Sequence, residues 1–141
     1  MPEARIQFLS ELSDFKVPNP RKTARWLHTI AEKERRQLSA LTYVFCSDQY
    51  LLALNRQFLK HSTFTDILSF DDSEDERISG EIYISIPRVL DNAKKYDQAF
   101  NIELRRVMAH GLLHFLGYKD KLPRQKAQMR RKEEACLSLW K

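Results

Sequence analysis

The stretch IELRRVMAHGLLHFLG, residues 102–117, decides the fold that we expect for this chain. Its apolar residues recur at helical spacing, and His110 and His114 stand one turn apart on the same face. Gly117 lies where a left-handed C-terminal cap is expected, and this reversal brings Asp120 back towards the imidazoles. We therefore predict a central apolar helix whose carboxyl end carries two histidines and one aspartate.

Strand and helix patterns flank this helix on both sides. Runs rich in β-branched and aromatic residues predict strands at 5–9, 40–46, 63–71 and 80–86, the last two forming a hairpin. Helical spacing and proline positions predict helices within 18–39, from Asp48 to about Lys60, from Pro87 to Tyr96, at 102–117, and from Pro123 to about Leu139. This order predicts the α/β (α+β) class, a small mixed β-sheet of about four strands packed with about five helices.

Length and composition predict one domain. The chain has 141 residues, 43% of them hydrophobic, which suffices for one core, so we expect a single domain over residues 1–141. Cys46 and Cys136 match no C-x-x-C spacing and are too few for a disulfide framework, which favours a reducing cytoplasm. The charged first residues contain no signal-like apolar segment, and no window resembles a membrane span. We expect a soluble cytoplasmic protein without a membrane partner, and the sequence leaves the oligomeric state open.

The charge pattern leaves two interpretations open. The net charge is +5, with acidic residues gathered at 71–76 and basic runs elsewhere, including RQKAQMRRK near the C-terminus. A charged run is commonly only a solvated helix face. The alternative is an anionic polymer as partner, which a basic surface would attract.

The spacing of the histidine cluster matches a metal site. His110, His114 and Asp120 follow the pattern H-x-x-x-H-x-x-G-x-x-D, which resembles the zinc-binding helix and turn of metzincin peptidases with aspartate as the third ligand. Three protein ligands leave a coordination position open, as in catalytic sites. We expect Zn²⁺ first, with Ni²⁺, Fe²⁺ and Mn²⁺ as alternatives that also suit these ligands. A histidine pair used only for packing is the competing interpretation.

The residue after the first histidine argues against a peptidase. Peptidases of that kind place a glutamate base there, whereas this chain has Gly111. A phosphodiester makes a different demand, because a metal ion can stabilise charge on its oxygens and the RNA 2′-hydroxyl can act as nucleophile. We identify no side-chain base, so a metal-bound water is the expected catalytic group.

Three blocks of the sequence resemble the YbeY family of rRNA-maturation endoribonucleases. HGLLHFLGYKD, residues 110–120, matches that family's H-G-x-L-H-x-x-G-Y-x-H except at its last residue. LNRQFLKHSTFTDILSF, residues 54–70, resembles L-N-x-x-Y-R-x-x-D-x-x-T-D-V-L-S-F, and GEIYISIPRVLDNA, residues 80–93, resembles the G-D-I-x-I-S segment. The blocks follow the family's order and span most of the chain.

The resemblance implies a metal-dependent endoribonuclease that acts on single-stranded RNA and on the ribosome. The expected substrate is rRNA, notably the 3′ end of the small-subunit RNA, with a role in ribosome quality control. This chain departs from the family in two places. Asp120 replaces a histidine, which keeps a ligand but lowers the Lewis acidity of the ion. Leu59 replaces a basic residue, and the adjacent Lys60 is offset by about 100° on a helix.

Six further residues are candidates for supporting roles. Glu103 lies two turns before His110 and is a candidate to orient a histidine or a water, although a helix N-terminal carboxylate is the commoner role. The candidate RNA-binding residues are Lys60, Arg105, Arg106, Lys119 and Lys121. A second function stays open at this point, a non-catalytic RNA- or ribosome-binding assembly factor whose metal is structural.

Overall fold

A mixed sheet of four strands forms the framework of the computed structural model, which describes residues 5–59 and 65–141. The strands are β1 (Arg5–Ser10), β2 (Gln37–Cys46), β3 (Ile67–Asp71) and β4 (Arg77–Ser85). Their order across the sheet is β1-β2-β4-β3. Parallel pairs join β1 to β2 and β2 to β4, whereas β3 and β4 form an antiparallel hairpin. The expected mixed sheet and hairpin are confirmed.

Five α-helices accompany the sheet in the described part of the chain. They are α1 (Pro20–Lys33), α2 (Asp48–Leu54), α3 (Ile86–Lys95), α4 (Phe100–Phe115) and α5 (Pro123–Ser138). A short π-helical segment, Asn55–Leu59, continues directly from α2. None of the helices in residues 5–59 and 65–141 combines the length and apolar character needed to cross a bilayer.

Side chains near the helix starts explain where several helices begin. The hydroxyl of Ser47 accepts a hydrogen bond from the Tyr50 N–H at 3.1 Å, which caps α2. Ser85 accepts one from the Arg88 N–H at 3.3 Å and caps α3 in the same way. Proline occupies the first turn of α1, α3 and α5, where its missing N–H costs nothing.

Helix α4 lies at the centre of the core. Leu104, Met108 and Leu112 are almost fully buried, and the helix packs against β3, β4, α3 and α5. The Tyr43 hydroxyl donates a hydrogen bond to the Met108 carbonyl at 2.8 Å, which ties the middle of α4 to β2. This packing fixes the helix that carries both histidines.

Both cysteines are buried free thiols rather than disulfide partners. Burial raises the pKa of Cys46 to about 12 and the pKa of Cys136 to about 11. Both thiols therefore stay protonated at neutral pH, which makes them packing residues rather than nucleophiles.

Several element boundaries differ from those expected from the sequence. β2 begins at Gln37 rather than Ala40, because Gln37 already pairs with Arg77 of β4. β4 in turn begins at Arg77 rather than at Gly80. α1 ends at Lys33, and Arg35 then adopts a left-handed φ of 58°. β3 was expected over 63–71 and spans Ile67–Asp71, while residues 63 and 64 lie outside the described part. The expected helix end near Lys60 also lies outside it.

Candidate metal centre

Three side-chain atoms converge at the carboxyl end of α4. His110 Nε2 lies 3.1 Å from His114 Nε2 and 3.2 Å from Asp120 Oδ2, and His114 Nε2 lies 3.4 Å from the same carboxylate oxygen. The histidines meet because they are one helical turn apart. Asp120 joins them because Gly117, with φ of 106°, reverses the chain after the helix. The structure thus places these three residues together as the spacing predicted.

This triangle of donor atoms has the size that one metal ion requires. Ligands held about 2.0–2.1 Å from a tetrahedral zinc ion stand about 3.3–3.4 Å from one another. The three measured separations fall between 3.1 and 3.4 Å. Two imidazole nitrogens and one carboxylate oxygen also form a common donor set for divalent metals. His110, His114 and Asp120 could therefore hold one ion and leave a further position accessible.

A cleft of about 260 Å³ opens beside the cluster. Its walls come from α4, α5, the turn after α4 and the residue that precedes β3. They consist of Asp66, Glu103, Arg106, Val107, His110, Asp120 and Glu133. The side chains of the proposed ligands remain between 21% and 36% exposed, so a substrate can reach them.

Glu133 orients His110 from the neighbouring helix. Its Oε2 lies 2.6 Å from the Nδ1 of His110, and the Glu133 side chain is only 12% exposed. A carboxylate can only accept, so Nδ1 carries the hydrogen and the lone pair of Nε2 faces the cluster. Partners of this kind fix the tautomer and raise the basicity of a metal-ligating histidine.

The electrostatics of the cleft favour a cation. Burial alone would lower the pKa of His110, but the hydrogen bond and charge of Glu133 outweigh it and raise that pKa. Burial raises the pKa of Asp66 and of Glu103, two carboxyls that share the cleft. These acidic groups crowd one another, and a bound cation would relieve their mutual repulsion.

Glu103 occupies a different position from the one expected for a histidine partner. Its carboxylate lies 3.6 Å from the Arg106 Nε, at the wall of the cleft. Arg106 also contacts Glu133 at 3.4 Å and Glu134 at 2.7 Å. Arg106 thus offsets the negative charge of this wall, and Glu133 rather than Glu103 contacts the histidine.

The other candidate RNA-binding residues differ in where they lie in the chain and the structure. Lys119 and Lys121 are exposed on the turn on either side of Asp120. Arg105 lies with its guanidinium carbon 4.3 Å from the centre of the Trp140 ring and lines no part of the cleft. Its Nε is buried, and no hydrogen-bond partner for it lies within residues 5–59 and 65–141. Lys60 lies outside the described residues, and Leu59, at the end of the π-helical segment, is 46% exposed.

A hydrogen-bonded pair anchors the turn that carries Asp120. The Tyr118 hydroxyl donates to Glu34 Oε1 at 2.5 Å, and Lys132 Nζ lies 3.2 Å from Glu34 Oε2. Burial would raise the pKa of Glu34, but these two hydrogen bonds outweigh it and lower that pKa. The turn is therefore fixed to the end of α1 and to α5.

Gly111 faces the sheet and not the cleft. A Cβ built at this position would lie 3.0 Å from side-chain atoms of Ile67 and of Ile82. A glutamate there, as in the peptidases, would enter the apolar core. The absence of a base at this position is therefore a consequence of how α4 packs on β3 and β4.

Comparison with known families identifies the family of this chain. A family model described as Endoribonuclease YbeY matches residues 8–141. The chain belongs to this family. Its resemblance to the family, which rested on three sequence blocks, is confirmed over almost the whole chain.

Known relatives align with this chain over most of their lengths. A protein of Cytophaga hutchinsonii named Endoribonuclease YbeY is 49% identical, over 100% of this chain and 99% of that protein. A protein of Amoebophilus asiaticus with the same name is 46% identical, over 94% of this chain and 91% of its own length. A solution structure of a Thermotoga maritima protein has a TM-score of 0.69 and 27% identity, covering 95% of this chain and 87% of that one.

Proposed function

We propose that this protein is a metal-dependent endoribonuclease that cuts single-stranded RNA during rRNA maturation. The observation that carries the proposal is the triangle of His110, His114 and Asp120, within metal-binding distance of one another beside an accessible cleft. Membership of a family whose relatives are named endoribonucleases supports the choice of RNA as substrate. Zn²⁺ is the proposed ion, since two imidazoles and a carboxylate are common zinc ligands, with Ni²⁺, Fe²⁺ and Mn²⁺ as alternatives.

In the proposed chemistry the ion stabilises charge, and the protein side chains hold and orient the ion. When bound, a divalent ion supplies positive charge that stabilises negative charge developing on a phosphodiester oxygen. His110, His114 and Asp120 hold the ion, and Glu133 keeps the His110 Nε2 lone pair directed at it. Asp120 adds one negative charge relative to a histidine ligand, which lowers the Lewis acidity of the ion.

Basic residues beside the cleft are proposed to bind the phosphates. Lys119 and Lys121 flank Asp120 on the exposed turn, and Arg106 lines the cleft wall. We leave Arg105 out of this group, because its guanidinium packs on Trp140. Lys60 stays a candidate on sequence grounds alone.

The proposed setting is the cytoplasm, with ribosomal RNA and the ribosome as partners. We propose one domain over residues 1–141, in agreement with a family match that covers residues 8–141. The substrate we favour is the precursor of the small-subunit 3′ end. Family membership and the basic character of the chain, with a net charge of +5, support this substrate.

A non-catalytic assembly factor is the second candidate. Leu59 stands where the family pattern carries a basic residue, which weakens the case for phosphate binding at that position. In that case the ion would join α4 to the following turn and stabilise the fold, while basic residues bind rRNA.

Metal removal and restoration test the proposal. The purified protein is incubated with a labelled single-stranded RNA that carries a small-subunit 3′ precursor end, before and after treatment with a chelator. We expect cleavage that the chelator abolishes and that one divalent ion restores, with no cleavage of a duplex of the same sequence. Binding without cleavage in every metal would support the assembly factor, and cleavage unaffected by the chelator would contradict the metal mechanism.

A further inference from the structure

Three adjoining surface regions follow one another along α5 to the metal cluster, and we refer to them together as the α5 groove. The outer region is an open face of α5 alone, formed by Lys126, Ala127, Arg130, Arg131 and Glu134. The middle one, of about 360 Å³, shares Arg130 and Glu134 with it. The inner one is the cleft described above, and it shares Glu103, Arg106 and Glu133 with the middle depression.

The outer part of the groove carries uncompensated positive charge. Lys126, Arg130 and Arg131 are exposed, and within the described residues none of them forms an ion pair. The acidic residue there, Glu134, is already paired with Arg106 at 2.7 Å. Because an anionic ligand would meet free cations here, the charge favours a phosphate backbone.

The middle of the groove presents an aromatic ring. Tyr96, at the end of α3, is 58% exposed, and Lys95 Nζ lies 5.5 Å from the centre of its ring. An exposed ring beside basic residues suits an unpaired base, which can stack on it, whereas the bases of a duplex are already stacked. This ring distinguishes single-stranded nucleic acid from a simple anion.

The inner end of the groove reverses the charge pattern. Asp66, Glu103, Asp120 and Glu133 line it, with Arg106 as the accompanying cation. A polyanion would be repelled here unless a cation occupied the cluster. The groove therefore attracts a phosphate chain at its outer end and admits it to the inner end when the metal is bound.

We propose that the α5 groove binds the single-stranded RNA on one side of the bond that is cut. Lys126, Arg130 and Arg131 contact successive phosphates, and Tyr96 stacks on a base between them and the cluster. The inference rests on the proposed endoribonuclease function and specifies where its substrate lies.

Charge reversal in the groove tests the inference. Lys126→Glu combined with Arg130→Glu is compared with a charge-matched control, Arg5→Glu combined with Lys33→Glu, whose exposed residues lie outside the groove. Binding of a labelled single-stranded RNA with 2′-O-methyl groups is measured by fluorescence anisotropy in the metal-loaded wild-type background, and a gel checks that the RNA stays intact. Cleavage is measured in the wild-type background, and metal content and melting temperature are recorded for every variant.

The groove variant and the control should differ clearly in their affinity for RNA. We expect the groove variant to bind RNA at least about tenfold more weakly, with a salt slope shallower by about 1.4 for two lost phosphate contacts on a single strand. The control should change affinity by less than about twofold. Tyr96→Ala should weaken binding about tenfold and Tyr96→Phe should preserve it, because only the ring is needed. Metal content should stay equal throughout.

Each negative result contradicts a different part of the proposal. Equal binding by the groove variant and the control, with cleavage by the wild type intact, would overturn the groove and leave the endoribonuclease standing. A wild type that neither binds nor cuts single-stranded RNA would overturn both. Equal or tighter binding of a duplex or an acidic peptide by the same residues would overturn the choice of a single strand as occupant.

Discussion

Glu133 Oε2 lies 2.6 Å from the Nδ1 of His110, a contact that joins α4 and α5 through two residues 23 positions apart in the chain. It makes α5 part of the candidate metal centre, although α5 supplies none of the three proposed ligands. The same helix carries Arg130 on the outer side and Lys132 towards α1. One helix therefore orients a candidate ligand, anchors the turn and carries the groove that we propose as the approach to the site.

Removing the Glu133 carboxylate should weaken metal binding. Glu133→Ala loses the group that fixes the His110 tautomer, and losses of this kind cost about 10–100-fold in affinity. Glu133→Gln should fall between this variant and the wild type, since its amide oxygen still accepts a hydrogen bond. Competition with a chromophoric zinc chelator measures the affinity. Glu134→Gln is the matched control, and a loss there as large as in Glu133→Ala would contradict the role of the His110 contact.

The acid stability of the protein should depend on Glu34. Its pKa is lowered in the folded state, so its contribution is present above about pH 4.5 and is lost as the pH falls through the folded-state pKa. Glu34→Gln should therefore unfold more easily at pH 7, by about 1–2 kcal/mol, and should lose less further stability on acidification. Urea unfolding at a series of pH values measures this. Parallel acid profiles for the two proteins would contradict it.

Tyr118→Phe should report on the same hydrogen bond from its other end. The variant removes the hydroxyl that donates to Glu34 at 2.5 Å and keeps the ring. We expect a loss of about 1–2 kcal/mol in unfolding free energy, because a carboxylate loses a partner. The double variant with Glu34→Gln should lose less than the sum of the two single variants. Strict additivity would show that the two side chains do not interact.

Introducing the peptidase glutamate should damage the fold instead of creating a base. Gly111→Glu would direct a carboxylate between Ile67 and Ile82, whose atoms lie 3.0 Å from a Cβ at this position. Burying an unpaired charge there should cost several kcal/mol. Gly111→Ala is the milder control, with a crowding cost partly offset by a gain of about 1 kcal/mol in helix propensity. Thermal unfolding measures both, and a stable Gly111→Glu protein would contradict the packing argument.

The part of the site that is local in sequence could be predicted, and the part made by packing could not. His110, His114 and Asp120 lie within eleven consecutive residues, so helical periodicity and a glycine cap suffice to bring them together. Glu133 reaches His110 only because α5 packs on α4, and its only signal in the sequence was an acidic pair within a basic helix. Spacing makes Glu103 a candidate histidine partner beside its commoner role as a helix N-terminal carboxylate, and Glu103 lies in the first turn of α4 and pairs with Arg106.

The contrast between local sequence and tertiary packing also explains which parts of the fold, and which candidate RNA-binding residues, the sequence could predict. Strand and helix identities followed from periodicity, whereas the start of β2 depended on its pairing with β4. Arg105 is a candidate phosphate ligand because it lies close to His110 in the sequence. In the structure its guanidinium packs against the Trp140 ring, away from the cleft. A residue five positions from His110 need not share its helix face.

The most direct test of the central claim compares the wild type with His114→Ala, purified identically and incubated with the same single-stranded small-subunit 3′ precursor RNA. His114 Nε2 is one corner of the proposed metal triangle, 3.1 Å from His110 Nε2. The account predicts cleavage by the wild type alone, together with loss of bound metal from the variant. Equal cleavage by both proteins, or an active variant that contains no metal, would contradict it.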